Sequence, residues 1–171
     1  EVAEVLAPQI VLSRESFEFL EDSDLSIEEV AQEKAKQAFA HFNRPLIVED
    51  TGVFFEAYHN FPGSLAKRIY NAIGVDGLLK LLEGKSRRAY FEVVLVYTDG
   101  NITKSFVGKS FGTIAQEQGP KSPRLQMGYE MLFVPDGHLK YLSEFSIPEK
   151  AGVSHRVKAA NAFKEWFLKM P

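Results

Sequence analysis

The sequence predicts an α/β fold built as one domain, 1–171, around a mixed sheet, and three observations carry that expectation. A helix signal stands at 27–41: Ser26-Ile-Glu-Glu29 is a capping box, and Ile27, Ala31, Ala35, Ala38 and Phe42 share one stripe at helical spacing. The longest strand signal, 88–98, is β-branched and aromatic on both alternating sets, which places it mid-sheet with both faces covered. It runs into Asp99-Gly100, the strongest hairpin signal in the chain, so helices mix with strands of which one pair is antiparallel.

In chain order, residues 1–6 read as the tail of a helix closed by Pro8, with nothing before them to start it, so the natural chain is expected to begin upstream. Short apolar runs at 10–12 and 17–20 suit strands. After the helix at 27–41 comes a strand at 45–49, a turn at Thr51-Gly52 and a second apolar stretch, 53–57, interrupted by Phe61-Pro-Gly63. Helices at 64–71 and 75–82 each end on a glycine, Gly74 and Gly84, which takes the left-handed turn that other residues resist. Beyond the hairpin, 102–107 and 112–116 read as strands, 118–126 as a mobile loop rich in Gly, Pro, Ser and Lys, and 131–134 as a strand before a Pro-Asp-Gly turn. Residues 154–170 form a long helix that buries Val157, Ala160, Phe163, Trp166, Phe167 and Met170.

Composition excludes several classes of function. With no cysteine there is no disulfide framework, thiolate metal site or thiol nucleophile, so any metal must be held by oxygen or imidazole ligands. A net charge of -3 offers no chain-wide attraction to nucleic acid, and a phosphate ligand needs a local cluster of Lys and Arg plus a cation. No apolar run reaches membrane-spanning length and no basic-then-apolar leader is present, which points to a soluble, cytoplasmic protein.

Three groups of residues carry chemistry. In Pro45-Leu-Ile-Val-Glu-Asp-Thr-Gly52 two acids follow three aliphatic residues, and an unpaired carboxylate at the end of an apolar strand marks an opening where something positive meets it. Because strand side chains alternate, Glu49 and Asp50 cannot both aim at one cleft unless the turn begins between them; Asp50 is the choice to bind a divalent cation or orient a water, with Glu49 in support. Beside it stands a bland reading, with Asp50 capping the turn and Glu49 paired to a lysine on the neighbouring helix. Glu21-Asp22-Ser-Asp24 can complete a cation site or form a solvated loop. Finally, Ser154 is a natural N-cap beside Lys150 and Arg156, a phosphate seat or an ordinary capped surface helix, in which His155 is neutral or balanced by an anion.

Read together, Glu49-Asp-Thr-Gly52, Phe61-Pro-Gly63, the Gly-x-x-x-Gly-x-Ile stretch from Gly108 to Ile114, Gly128-Tyr129 before Phe133-x-Pro-x-Gly137, and Glu149-Lys with Ser154-His-Arg156 resemble, in order and spacing, the inosine triphosphate pyrophosphatase family over nearly the whole chain. The resemblance implies an elongated, two-lobed α/β fold with a central nucleotide cleft, usually dimeric, and a Mg2+-dependent enzyme cleaving ITP, dITP and XTP to the monophosphate and pyrophosphate. It implies Asp50 as the catalytic acid with Glu49 beside it, and Glu21 with Asp50 as metal ligands. Lys34 is implied to reach the phosphates, Tyr129 to lie by the base, and Lys150, Ser154, His155 and Arg156 to hold the purine edge and phosphates.

The chain departs from the family pattern in three places. It starts just after the family's first strand and Thr-Gly-Asn-x-x-Lys loop. Met127, Glu130 and Met131 replace the usual Phe, Asp and Pro of the base pocket, and Ala151 replaces an Asn. A nucleotide-binding relative with altered specificity or lost hydrolysis is therefore the alternative to an active enzyme.

Overall fold

A computed structural model describes residues 1–20, 25–59, 61–121 and 128–170. Five strands, β1 (Leu46–Phe55), β2 (Phe61–Gly63), β3 (Arg88–Thr98), β4 (Thr103–Ile114) and β5 (Phe133–Pro135), form one sheet in the order β2-β1-β3-β4-β5. Around it stand α1 (Val2–Leu6), α2 (Ile27–Phe42), α3 (Ala66–Leu81), α4 (Ile147–Lys150) and α5 (His155–Phe167). The α/β class is as expected, but every pairing among the described strands is antiparallel rather than mixed. The reason is the path of residues 56–87, which leave β1 at Phe55 and enter β3 beside it, Phe55 pairing with Ala89, so α3 returns the chain to the end of the sheet it left.

Alternation along β3 assigns the faces. Val94 and Val96 pack with Val48 and Phe54 under Ile27, Ala31 and Ala35 of α2, whose Ser26–Glu29 capping box is formed as expected. Val93, Leu95 and Tyr97 point the other way, with Phe106, against Ala159, Ala160 and Phe163 of α5 and Leu6 of α1. A third cluster at the far end of the sheet joins Phe55, Phe91, Phe133 and Tyr129 to Leu78 and Leu82 from and just after α3.

Several local expectations change. No turn occurs at Thr51-Gly52: β1 runs straight through, with Thr51 opposite Val93 and Gly52 opposite Glu92. Gly52 is needed instead for close approach, since a Cβ there would lie 2.7 Å from the Phe54 ring and 2.9 Å from the Gly63 carbonyl on β2. The runs at 10–12 and 17–20 form no strand; Val11 is 87% exposed, and the backbone of Leu20 is bonded by the Gln37 side chain of α2 rather than by a neighbouring strand. The two helices at 64–71 and 75–82 are one element, α3, kinked at Gly74 with φ 63°, and the strands at 102–107 and 112–116 are one continuous β4. Most of the loop at 118–126 lies outside the described residues.

Candidate active site

Glu49 and Asp50 lie in mid-strand, not at a strand end, but on a part of β1 that has a strand neighbour on one side only. β2 reaches just Val53–Phe55, so among the described residues 46–52 pair with β3 alone. The acids flank this open edge from opposite faces, because Glu49 shares its row with Leu95 and Asp50 with Val94.

On the α2 face, Lys34 Nζ donates to Asp50 Oδ1 at 2.6 Å, and both side chains are nearly enclosed, at 10% and 13% exposure. Helix register explains the meeting: Lys34 lies on the turn between Ala31 and Ala35 that packs on the sheet, so its stem is buried and its ammonium reaches the strand edge. The Phe19 ring lies 5.6 Å from the same ammonium.

On the α5 face, Arg156 Nε donates to Glu49 Oε1 at 3.1 Å and its terminal nitrogen donates to Thr51 Oγ1 at 3.2 Å. Glu130 stands 3.9 Å from the same guanidinium and accepts a 2.9 Å bond from Lys150. Lys150 closes the four-residue α4, which leads directly into α5. Glu149, by contrast, turns away to Lys140 and Ser146, contacts that hold its carboxyl down at about 2.

Ser154 caps α5, accepting from the Val157 backbone N–H, and donates to the carboxylate of Glu1. His155 is buried, stacked on Phe91 at 4.9 Å, and neither ring nitrogen has a hydrogen-bond partner among the described residues. Burial pushes its imidazole well below the ordinary value, and Arg156, Lys150 and Lys158 push the same way, so it is neutral. Of the two states considered for His155, the structure takes the neutral one.

The structure thus gathers Asp50 with Lys34, and Glu49, Glu130, Lys150 and Arg156 with one another, around residues 46–52. Tyr129 needs correction as a base-side aromatic: it is fully buried beside Phe55 and Tyr70, its hydroxyl donating to the Ala66 carbonyl at 3.0 Å, so it anchors the core. Glu21 and Met127 lie outside the described residues. Two participants went unread in the sequence. Thr51 shares a strand face with Glu49, which alternation reveals once the strand is continued through it; Glu1, 153 residues from Ser154, carries no local signal.

Among the described residues no three His, Cys, Asp or Glu side chains are grouped as a metal cage. The donors present nonetheless suit a hard divalent cation. Glu49 Oε2 is buried without a hydrogen-bond partner among the described residues, and Mg2+ is commonly held through one or two carboxylates plus ligand phosphates, keeping several waters.

The sequence model of the Ham1 family matches residues 1–166. The chain belongs to the Ham1 family. It is 42% identical over 142 residues to the dITP/XTP pyrophosphatase of Saccharolobus solfataricus, spanning 82% of this chain and 72% of that one. It is 36% identical over 162 residues to the dITP/XTP pyrophosphatase of Methanopyrus kandleri, spanning 92% and 84%. The fold matches that of the Staphylococcus aureus Ham1 protein with a TM-score of 0.76 at 25% identity, over 88% of this chain and 81% of that one.

Proposed function

We propose that this Ham1 protein is a nucleoside triphosphate pyrophosphohydrolase that converts dITP, ITP and XTP to the monophosphate and pyrophosphate. The observation that carries this reading is the pairing of two consecutive acids on an open strand edge with cations drawn from distant elements, Lys34 on one face and Arg156 on the other. Its relatives named dITP/XTP pyrophosphatase supply the substrate class.

A triphosphate is strongly anionic, and its phosphoanhydride is cut only when charge building on the leaving pyrophosphate is neutralised. Lys34, Lys150 and Arg156 are paired with Asp50, Glu130 and Glu49 respectively. Such a site presents little net charge, so it accepts a polyanion and a cation together. Lys34, Lys150 and Arg156 are the groups that would donate to phosphate oxygens, and Asp50 and Glu49 the carboxylates that would hold a cation.

Mg2+, when bound, would neutralise phosphate charge and hold a water close to the anhydride. We assign its protein ligands to Asp50 and Glu21, with the partnerless oxygen of Glu49 as a further donor. Asp50 orients the attacking water and takes its proton, while Glu49 holds the Arg156 fork. Glu130 and Met127 are our assignment for the base wall, with the buried Ser154 and His155 fixing the start of α5 behind it. A 6-oxo purine is favoured over ATP where a wall group donates a hydrogen bond that an amino group cannot accept.

No helix among the described residues is long and apolar enough to cross a membrane. A cytoplasmic place is the one where nucleotide pools would supply such a substrate. We also propose a homodimer, supported by the half-exposed Phe111 and Val107 on the face of β4 that α2 leaves uncovered; light scattering tests it.

The decisive experiment is pyrophosphate release by the purified full-length protein with Mg2+. Release from dITP or XTP well above that from ATP and GTP is expected and should vanish with EDTA. Binding of dITP without release would instead identify a nucleotide-binding relative that has lost hydrolysis.

A further inference from the structure

Gly108 opens the Gly-x-x-x-Gly-x-Ile stretch, whose glycines have no role in the chemistry above. On β4 it stands opposite Val93, which stands opposite Thr51 on β1, so the three share one cross-strand row on the α5 face. A Cβ built at Gly108 would run into the carbonyl oxygen of His155 and lie 2.9 Å from the backbone nitrogen of Ala159. Those two atoms are an i to i+4 acceptor and donor position in the first turn of α5, and helix backbone, unlike a side-chain tip, cannot swing aside.

We infer that Gly108 is a positioning residue: its missing side chain lets the first turn of α5 lie directly on β4, which sets where His155 and Arg156 stand relative to β1. His155 is the residue whose carbonyl meets Gly108, and its ring lies on Phe91 of the neighbouring strand. Arg156 follows and reaches back across β3 to Glu49 and Thr51 with bonds of 3.1 and 3.2 Å. A methyl group at 108 lifts this turn by a distance on the order of 1 Å, the gap between the built Cβ and ordinary van der Waals contact. Bonds already that long are then carried past hydrogen-bond range. The consequence for turnover rests on the function proposed above; the consequence for geometry does not.

Gly112 supplies the comparison. It lies on the same strand and face, but its Cβ would meet the Val134 carbonyl and the Phe133 ring, at 2.6 Å from the ring, and so would disturb β5 rather than α5.

The test compares Gly108→Ala, Gly112→Ala and the parent protein, at low temperature in sucrose, which favours the folded state. Circular dichroism reports folding, and NMR reports the Arg156 Nε–H resonance and the His155 ring protons. In Gly108→Ala the protected Arg156 signal should be lost to exchange and the His155 ring protons, shifted by Phe91, should move. In Gly112→Ala the Arg156 signal should stay, and the His155 ring protons should move less than in Gly108→Ala, since only the Phe133–Phe91 contact reaches them. Misplacement of this size lowers kcat/KM for dITP by roughly 100-fold, mainly through KM, in Gly108→Ala alone. Unmoved signals in Gly108→Ala, equal movement in Gly112→Ala, or a Gly108→Ala chain that fails to fold where Gly112→Ala folds would each overturn the assignment. Parent protein inactive on dITP would remove the proposed function while the two NMR comparisons still decide the geometry.

Discussion

Replacing Asp50 with Asn separates its role as ion-pair partner from its proposed roles in the chemistry, metal ligand and water-orienting base. Asn keeps the shape and an oxygen for Lys34 but removes the charge, leaving an ammonium that is 10% exposed without the carboxylate 2.6 Å away. Losing a charge-assisted bond of this kind costs about 1.5–3 kcal/mol, less than the roughly 3–5 kcal/mol for stripping one partner from a buried pair. At about 2–4 °C per kcal/mol for a chain of this size, Tm should fall by roughly 3–12 °C. The chemical step loses its proton acceptor, so kcat should fall about 10²–10⁴-fold. Differential scanning fluorimetry gives the first number, and pyrophosphate release at saturating dITP, well below the lowered Tm, gives the second. If Tm drops as stated while kcat stays within about threefold of the parent, Asp50 is only the structural counter-ion of Lys34 and the catalytic base lies elsewhere.

Arg156→Lys cannot bridge Glu49 and Thr51 with one planar fork, so KM for dITP should rise on the order of tenfold with a smaller change in kcat, read from initial rates. His155 gives a pH signature. Its folded value is depressed below 6.5, so the stability it contributes is present above that pH and is lost as the pH falls below it, by about 1.4 kcal/mol per pH unit. Thermal melts taken between about pH 7.5 and about pH 5.5 should show a steeper decline in the parent than in His155→Gln; equal slopes would mean that the imidazole charges in the folded state. Tyr129→Phe removes one of two bonds to the Ala66 carbonyl, which keeps its α3 helix bond, and should lower stability by about 0.5–1.5 kcal/mol in denaturant melts, with KM for dITP unchanged. A large rise in KM there would return Tyr129 to the ligand wall.

Much of this was readable along the chain because it depends on neighbours in sequence. The α2 cap and its apolar stripe, the Asp99-Gly100 reversal, the double-faced β3 and the α5 cap at Ser154 follow from spacings of a few residues, where backbone geometry alone decides which side chains meet. The opposed directions of Glu49 and Asp50 follow from strand alternation in the same way. Gly52 misled, because a glycine that ends a turn and one that admits a neighbouring backbone look identical in sequence; Gly52, like Gly108, is of the second kind. Tyr129 misled for a related reason: an aromatic near a pocket motif and one under it differ only in which way the chain packs.

What the sequence alone determined is the inventory: the main helices and strands, that the available metal donors are oxygens and imidazoles rather than thiolates, and that acids and bases sit in separate stretches. Tertiary structure decided which acid meets which base. Lys34 and Asp50 are 16 residues apart, Glu49 and Arg156 107, and no local rule couples such distances. The coupling comes from two helices burying apolar stripes on opposite faces of one sheet, which carries one cation to each side of the same strand edge.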